Sequence, residues 1–316
     1  MDGLLLAMVA IWAGNYPVVK AVLREIPPLP FMAVRLAIAS AVFLGVLAWR
    51  RSVARRGAHG ATSGLARVLE DSVRISRRDW LALVGLGFVG HFLYQLGFVG
   101  GLARTSVANS ALIIGCSPIA IALLTAIVGH ERVGRRHWLG AALSVGGIYV
   151  VAARGATVSR ESLVGDLLMV GSVCCWATYT VSSRSLLARH SPLVVTGYSM
   201  ALGTAFVVLA TLRPTLRLEW SQVSAAAWLG LIGSALLALN LAYLIWYTAV
   251  QQIGNARTSI YSNMVPVAAM VLAWAGLGEQ IEPTKWLGAV AILGGVVLTR
   301  LGGPVVARTS VPPTGD

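Results

Sequence analysis

In a chain of 316 residues, 57% hydrophobic and only 12% charged, there is too little polar surface for a water-facing shell, since soluble domains carry about 25% charged residues. With a mean hydropathy of +0.76 its solvent is lipid, so it reads as an integral membrane protein. The net charge of +13 then reflects the Lys/Arg excess of cytoplasmic loops, and no nucleic-acid partner is expected.

Near the N-terminus Asp2 is the only early charge and no cleavage pattern follows. The first apolar stretch is therefore expected to be a retained span and not a signal peptide. A span needs about 20 apolar residues, and ten segments qualify: roughly 3–23, 30–49, 80–102, 106–129, 137–153, 163–187, 193–212, 225–250, 257–278 and 285–301. The links are short apart from 50–79, about 30 residues carrying eight arginines. The Pro/Gly-rich stretch 303–316 is expected to be a disordered cytoplasmic tail. Cys116, Cys174 and Cys175 sit in apolar stretches without metal-ligand spacing and read as small buried hydrophobes.

The chain spells one unit twice. Displaced by 148 positions, Trp80 falls on Trp228, Pro118 on Pro266, Glu131 on Glu279, and Gly146-Gly147 on Gly294-Gly295; roughly 17 of about 70 positions are identical without a gap. The first two spans of each half match at an offset of 164, Trp12 with Trp176, Lys20 with Arg184 and Pro28 with Pro192. Each half thus holds five spans, and an odd number inserts the second copy upside down. The expected fold class is an all-α integral membrane protein with ten transmembrane helices in two inverted five-helix repeats, the first over 1–154 and the second over 155–302. With the N-terminus inside, cytoplasmic loops and helix ends hold 16 Lys/Arg and the outer ones 8, with Arg35 in the second span completing the 25. That excess places both termini in the cytoplasm. The basic residues are 23 Arg and 2 Lys, a skew that points to a GC-rich genome and so to a bacterium.

Polar residues in spans are costly and face a cavity or another helix. In the first span Trp12, Asn15, Tyr16, Val19 and Lys20 form one helical stripe, and the matching span repeats it with Trp176, Tyr179, Thr180, Ser183 and Arg184. The third span carries His91, Tyr94, Gln95 and Phe98, and its repeat partner Asn240, Tyr243 and Tyr247, with Gln251 beyond. Asn109, Ser110 and Ser117 lie in the fourth span, and Thr258, Tyr261, Ser262 and Asn263 in the ninth. A single aromatic stripe is more often packing than a site. Four to six spans with such faces in symmetry-related positions instead point to a shared central cavity.

Lys20 and Arg35 fall near the outer ends of their spans, within reach of an anionic substrate group; the competing reading is that they snorkel or cap helix carbonyls. Glu131 and Glu279 close their spans, where a carboxylate is disfavoured and needs a partner, so a structural role is expected for both. Asp166 opens the sixth span, where a carboxylate suits the helix N-terminus. No Asp or Glu sits deep in a span, leaving His91 as the buried group that titrates near neutral pH and the candidate for proton coupling. Pro17, Pro118 and Pro266 interrupt helix hydrogen bonds. No nucleotide-binding loop and no catalytic or zinc-type constellation is present, so neither an enzyme nor a cofactor or metal is expected.

These residues are similar to a known family. Trp12-Ala13-Gly14-Asn15-Tyr16-Pro17-Val18-Val19-Lys20 resembles the first helix of EamA-type members of the drug/metabolite transporter superfamily. Ser117-Pro118, Gly129-His130-Glu131-Arg132, Trp138-Leu139-Gly140-Ala141 and Gly146-Gly147 resemble the end of one EamA repeat, and Val265-Pro266, Gly278-Glu279-Gln280, Trp286-Leu287-Gly288-Ala289 and Gly294-Gly295 the end of the other. Arg35 matches an arginine such proteins carry early in the second helix. The resemblance implies ten helices, cytoplasmic termini and a central cavity lined by the first, third, fourth, sixth, eighth and ninth helices. Two departures stand out: the long 50–79 segment, and a second half that opens Trp176-Ala177-Thr178-Tyr179 without the glycine and lysine of the first.

The expected function is secondary transport, as an exporter of small organic metabolites such as amino acids, by alternating access in the bacterial inner membrane. Few charges among many aromatics favour a zwitterion over a phosphate ester, whose site gathers several Arg or Lys. The alternatives are a facilitator of sugar phosphates or nucleotide sugars, and a non-transporting scaffold or sensor that uses the basic 50–79 segment on anionic lipid.

Overall fold

The computed structural model describes residues 1–55, 75–127, 135, 139–140, 142–143, 146, 160–262, 264–278 and 280–301. Most of the expected fifth span, Glu131, Asn263, Glu279, most of the 50–79 segment and the tail lie outside the described residues.

The described chain is helical, with no strand among the described residues: α1 (Asp2–Val22), α2 (Pro28–Arg55), α3 (Arg77–Arg104), α4 (Val107–Ile114), α5 (Ser117–Ile127), α6 (Arg160–Leu187), α7 (Pro192–Arg217), α8 (225–262), α9 (Met264–Leu277) and α10 (Pro283–Leu301). Among the described residues six helices, α1, α2, α3, α6, α7 and α8, are long and apolar enough to cross a membrane.

Serine sets the start of four of the helices, three of them membrane-crossing. Ser76 accepts from Asp79 N (3.1 Å) while Asp79 Oδ2 accepts from Ser76 N (3.3 Å), a reciprocal cap that opens α3. Ser106, Ser191 and Ser224 cap α4, α7 and α8 in the same sense, each accepting from the backbone N–H three residues on. Pro192 follows its cap at the first helical position, where its missing N–H is not needed.

Two expectations about helix continuity change. The expected fourth span, 106–129, breaks at Gly115 and Cys116, so Pro118 stands in the first turn of α5 and not inside a helix. A side chain at Gly115 would lie 2.6 Å from Pro266, so the break in one half packs on the proline of the other. The link expected at 251–256 is itself helical, because α8 runs on to Ser262. Position 254 is the repeat equivalent of Ser106 but is glycine, without the side-chain oxygen that starts α4.

The packing obeys an exchange of halves. α3 packs on α6 as α8 packs on α1, α1 packs on α9 as α6 packs on α4 and α5, and α2 meets α7 while α4 meets α9. The all-helical two-repeat class expected from the sequence is borne out. Gly97 and Gly101 let α3 close on α6, because an added Cβ would sit 2.7 Å from Leu168 O and 2.8 Å from Gly165 O. Both α3 and α8 contain a π-helical segment, Phe88–Leu93 and Ser234–Leu241, and these overlap and end together under the 148-residue displacement. Such wider turns occur at functional sites and rotate whatever follows them.

Candidate binding cavity

Between the two halves lies a cavity of about 790 Å³ of atom-free space, its open mouth included. α1 contributes Trp12, Asn15 and Tyr16; α2 contributes Arg35; α3 contributes Tyr94, Gln95 and Phe98; α6 contributes Trp176; α8 contributes Tyr243 and Trp246. The break in the first half supplies Gly115, Ser117 and Pro118, and α9 supplies Val265 and Pro266.

One wall is aromatic. The Trp12 ring lies 5.4 Å from Trp246, 6.1 Å from Trp176 and 6.2 Å from Tyr243, while Trp176 lies 5.5 Å from both Tyr94 and Tyr243. Several of these pairs are edge-to-face, the arrangement the ring quadrupole favours. Trp12 Nε1 donates to Ala238 O (3.2 Å), a carbonyl of the π-helical turn in α8, which fixes the indole across the repeat boundary.

The other wall holds a charge. Arg35 is 2% exposed, yet no Asp or Glu among the described residues pairs with it. Its Nη1 donates to Gln95 Oε1 at 3.4 Å and its Nη2 to Asn15 Oδ1 at 3.5 Å, both long, and its guanidinium lies 5.6 Å from the Phe31 ring. Asn15 Oδ1 also accepts from Ser234 Oγ at 2.6 Å, which ties this pole to α8. Under the 164-residue offset Arg35 corresponds to Ser199. The matching position of the second half is neutral.

Several predicted residues do not line the cavity. Lys20 Nζ donates to the carbonyls of Leu102 (2.7 Å), Ala103 (3.4 Å) and Thr105 (2.6 Å), closing the C-terminus of α3, so its charge serves a helix end. Asn109 donates to Asp166 Oδ2 (3.4 Å), beside Thr105 Oγ1 donating to Asp166 Oδ1 (2.7 Å). His91 Nε2 shares hydrogen bonds with the hydroxyls of Tyr179 (3.2 Å) and Ser199 (3.3 Å), and its ring reaches the lining at Tyr243 (5.9 Å). Tyr179 and Tyr247 stack edge-on at 5.6 Å behind Trp176. Asn240 donates to Ala39 O (2.9 Å), joining α8 to α2, and Tyr261 bonds to Asp2. The physical reason for His91 and Asn240 is the π turn, which breaks the 3.6-residue period on which their stripes were drawn. Trp246 was missed, although it stands three residues past Tyr243 on the same face.

A bundle of membrane-crossing helices in two exchangeable halves around an aromatic cavity is the build of a multi-pass carrier. The EamA-like transporter family model matches residues 1–153 and 163–301, and the chain belongs to that family, which consists of transporters and not enzymes. It is 29% identical to the uncharacterized transporter YyaM of Bacillus subtilis over 70% of this chain and 73% of that protein. It is 27% identical to an uncharacterized transporter of Archaeoglobus fulgidus over 94% of this chain and 96% of the relative. A protein of Streptantibioticus cattleyicolor described as a probable terminal-alkyne amino-acid exporter is 27% identical over 72% of this chain and 75% of its own. A solved crystal structure, 20% identical, shares the fold with a TM-score of 0.64 over 94% of this chain and 95% of its own.

Proposed function

We propose that the chain is a secondary transporter that exports small zwitterionic metabolites such as amino acids across a bacterial plasma membrane by alternating access. In this reading residues 1–154 and 155–302 are the two moving repeats, and both termini face the cytoplasm. The observation that carries it is a cavity walled by both repeats, mainly apolar, rich in aromatic rings and with a single charge.

The size of the cavity supports a small substrate. About 790 Å³ of atom-free space, the mouth included, is of the scale that holds a single small organic molecule. A phosphate dianion would need several cations, and Lys20 is already engaged by carbonyls. The amino-acid exporter among the relatives agrees with this reading.

Counterflow in proteoliposomes tests it. Vesicles of the purified protein are preloaded with unlabelled L-leucine, L-phenylalanine, L-threonine or glucose 6-phosphate, and uptake of the labelled compound is followed. The reading predicts transient accumulation of at least one amino acid. Accumulation of glucose 6-phosphate alone would overturn it.

A further inference from the structure

The fully buried polar atoms without partners among the cavity-lining residues all belong to groups that donate. Among cavity-lining residues, the buried side-chain N and O atoms without a hydrogen-bond partner in the described structure are Arg35 Nε, Tyr243 Oη and Trp246 Nε1. Arg and Trp nitrogens can only donate, and a tyrosine hydroxyl donates one proton. The buried amide oxygens without partners, Asn109 Oδ1 and Asn240 Oδ1, belong to residues that do not line the cavity. A cavity with unanswered donors is built for an acceptor-rich guest.

The charge sharpens the chemistry. A guanidinium enclosed within a membrane bundle is destabilised unless an anion answers it. Asn15 and Gln95 offer neutral oxygens at long range only. One cation facing the cavity, with Ser199 at its repeat-equivalent position, matches one negative charge and not two. Arg presents a planar fork that fits a carboxylate. Beside it, the rings of Trp12 and Trp176 offer π faces, which attract an ammonium group.

We infer that the cavity holds a carboxylate-binding site formed by Arg35 with Tyr243 and Trp246, and that the substrate carries a free carboxylate there with its ammonium group toward the aromatic wall. This rests on the transport reading above and deepens it: the carboxylate, and not the side chain, is the feature that admits a substrate.

The test compares acids with their carboxamides, which keep the size and the ammonium group but lose the anion. Counterflow of labelled L-leucine, L-phenylalanine and L-threonine into wild-type proteoliposomes is competed with each unlabelled amino acid and with its carboxamide, at a pH where both carry an ammonium group. A charge-assisted contact predicts that the acid competes ~10- to 100-fold more strongly than the amide. Equal competition by acid and amide overturns the inference while transport itself stands. No counterflow of any of the three amino acids overturns the transport reading and the inference with it. The variant arm uses Tyr243→Phe, since deleting an unpaired buried hydroxyl leaves the fold intact. It is expected to weaken the acid several-fold and leave the amide unchanged; an unchanged acid removes Tyr243 from the site. Arg35→Gln, confirmed as monodisperse, is expected to abolish the preference for acid over amide, and a preference that survives it overturns the assignment.

Discussion

Lys20 and Arg35 are both cations set in spans, and their neighbours assign them different work. Lys20 answers three carbonyls at the end of α3, whereas Arg35 faces the cavity with two distant amide oxygens. Replacing Lys20 with Met strips those carbonyls of a charged donor, at ~1–3 kcal/mol. We expect Lys20→Met to lower the Tm of purified protein by several degrees while leaving the KM for substrate unchanged; a raised KM at unchanged Tm would place Lys20 in the site. His91 is enclosed by the hydroxyls of Tyr179 and Ser199 and has no exposed surface, which favours a packing role over proton coupling. Counterflow by His91→Gln is therefore expected to keep the wild-type pH profile, and a flattened profile would restore His91 as the coupling group. The sequence made Trp12, Asn15 and Tyr16 legible as one face because α1 keeps the 3.6-residue period through them. It did not separate His91 from Tyr94, since nothing in Phe88–Leu93 announces a π turn. Nor could it find the orphaned donors, which depend on what lies across the cavity.

At the scale of elements, α3 is held by close backbone approach. Gly97 and Gly101 leave no room for a side chain against α6, whereas Gly171 on α6 itself has nothing within 4 Å of the place a Cβ would take. Gly101→Val should drive α3 off α6, with overpacking costs of ~1–3 kcal/mol or more. The expected readout is loss of the monodisperse peak in detergent for Gly101→Val, with Gly171→Ala eluting as wild type. A normal peak for Gly101→Val would mean that α3 and α6 are less tightly joined than described. Helix ends were only partly legible: the spans expected from 80 and 193 start a few residues earlier, at the Ser76 cap and at Ser191-Pro192, and Pro118, expected inside a helix, opens one. The continuation of α8 through 251–256 was not legible, because polarity there suggested a link while the backbone stayed helical.

For the whole molecule, the exchange of halves was legible from the duplication alone, and the packing follows it pair by pair. What the duplication hides is where the halves differ. Arg35 against Ser199 gives the charge to one half alone, while both halves supply rings to the cavity. The proposed orientation is checked with single cysteines at exposed positions near opposite ends of the bundle, in a background without Cys116, Cys174 and Cys175. Ser221→Cys is expected to react with an impermeant maleimide on whole cells, and Ala188→Cys only after permeabilisation. The reverse pattern would invert the topology.

The claim on which the rest depends is that substrate passes through the aromatic cavity between the repeats. The direct measurement is the initial rate of amino-acid counterflow for wild type and for Trp12→Ala/Tyr94→Ala, at equal amounts of monodisperse protein per vesicle. Removing two rings from the wall should lower the rate at least ~tenfold, as truncation of buried aromatic anchors does elsewhere. Equal rates would mean that substrate takes another route.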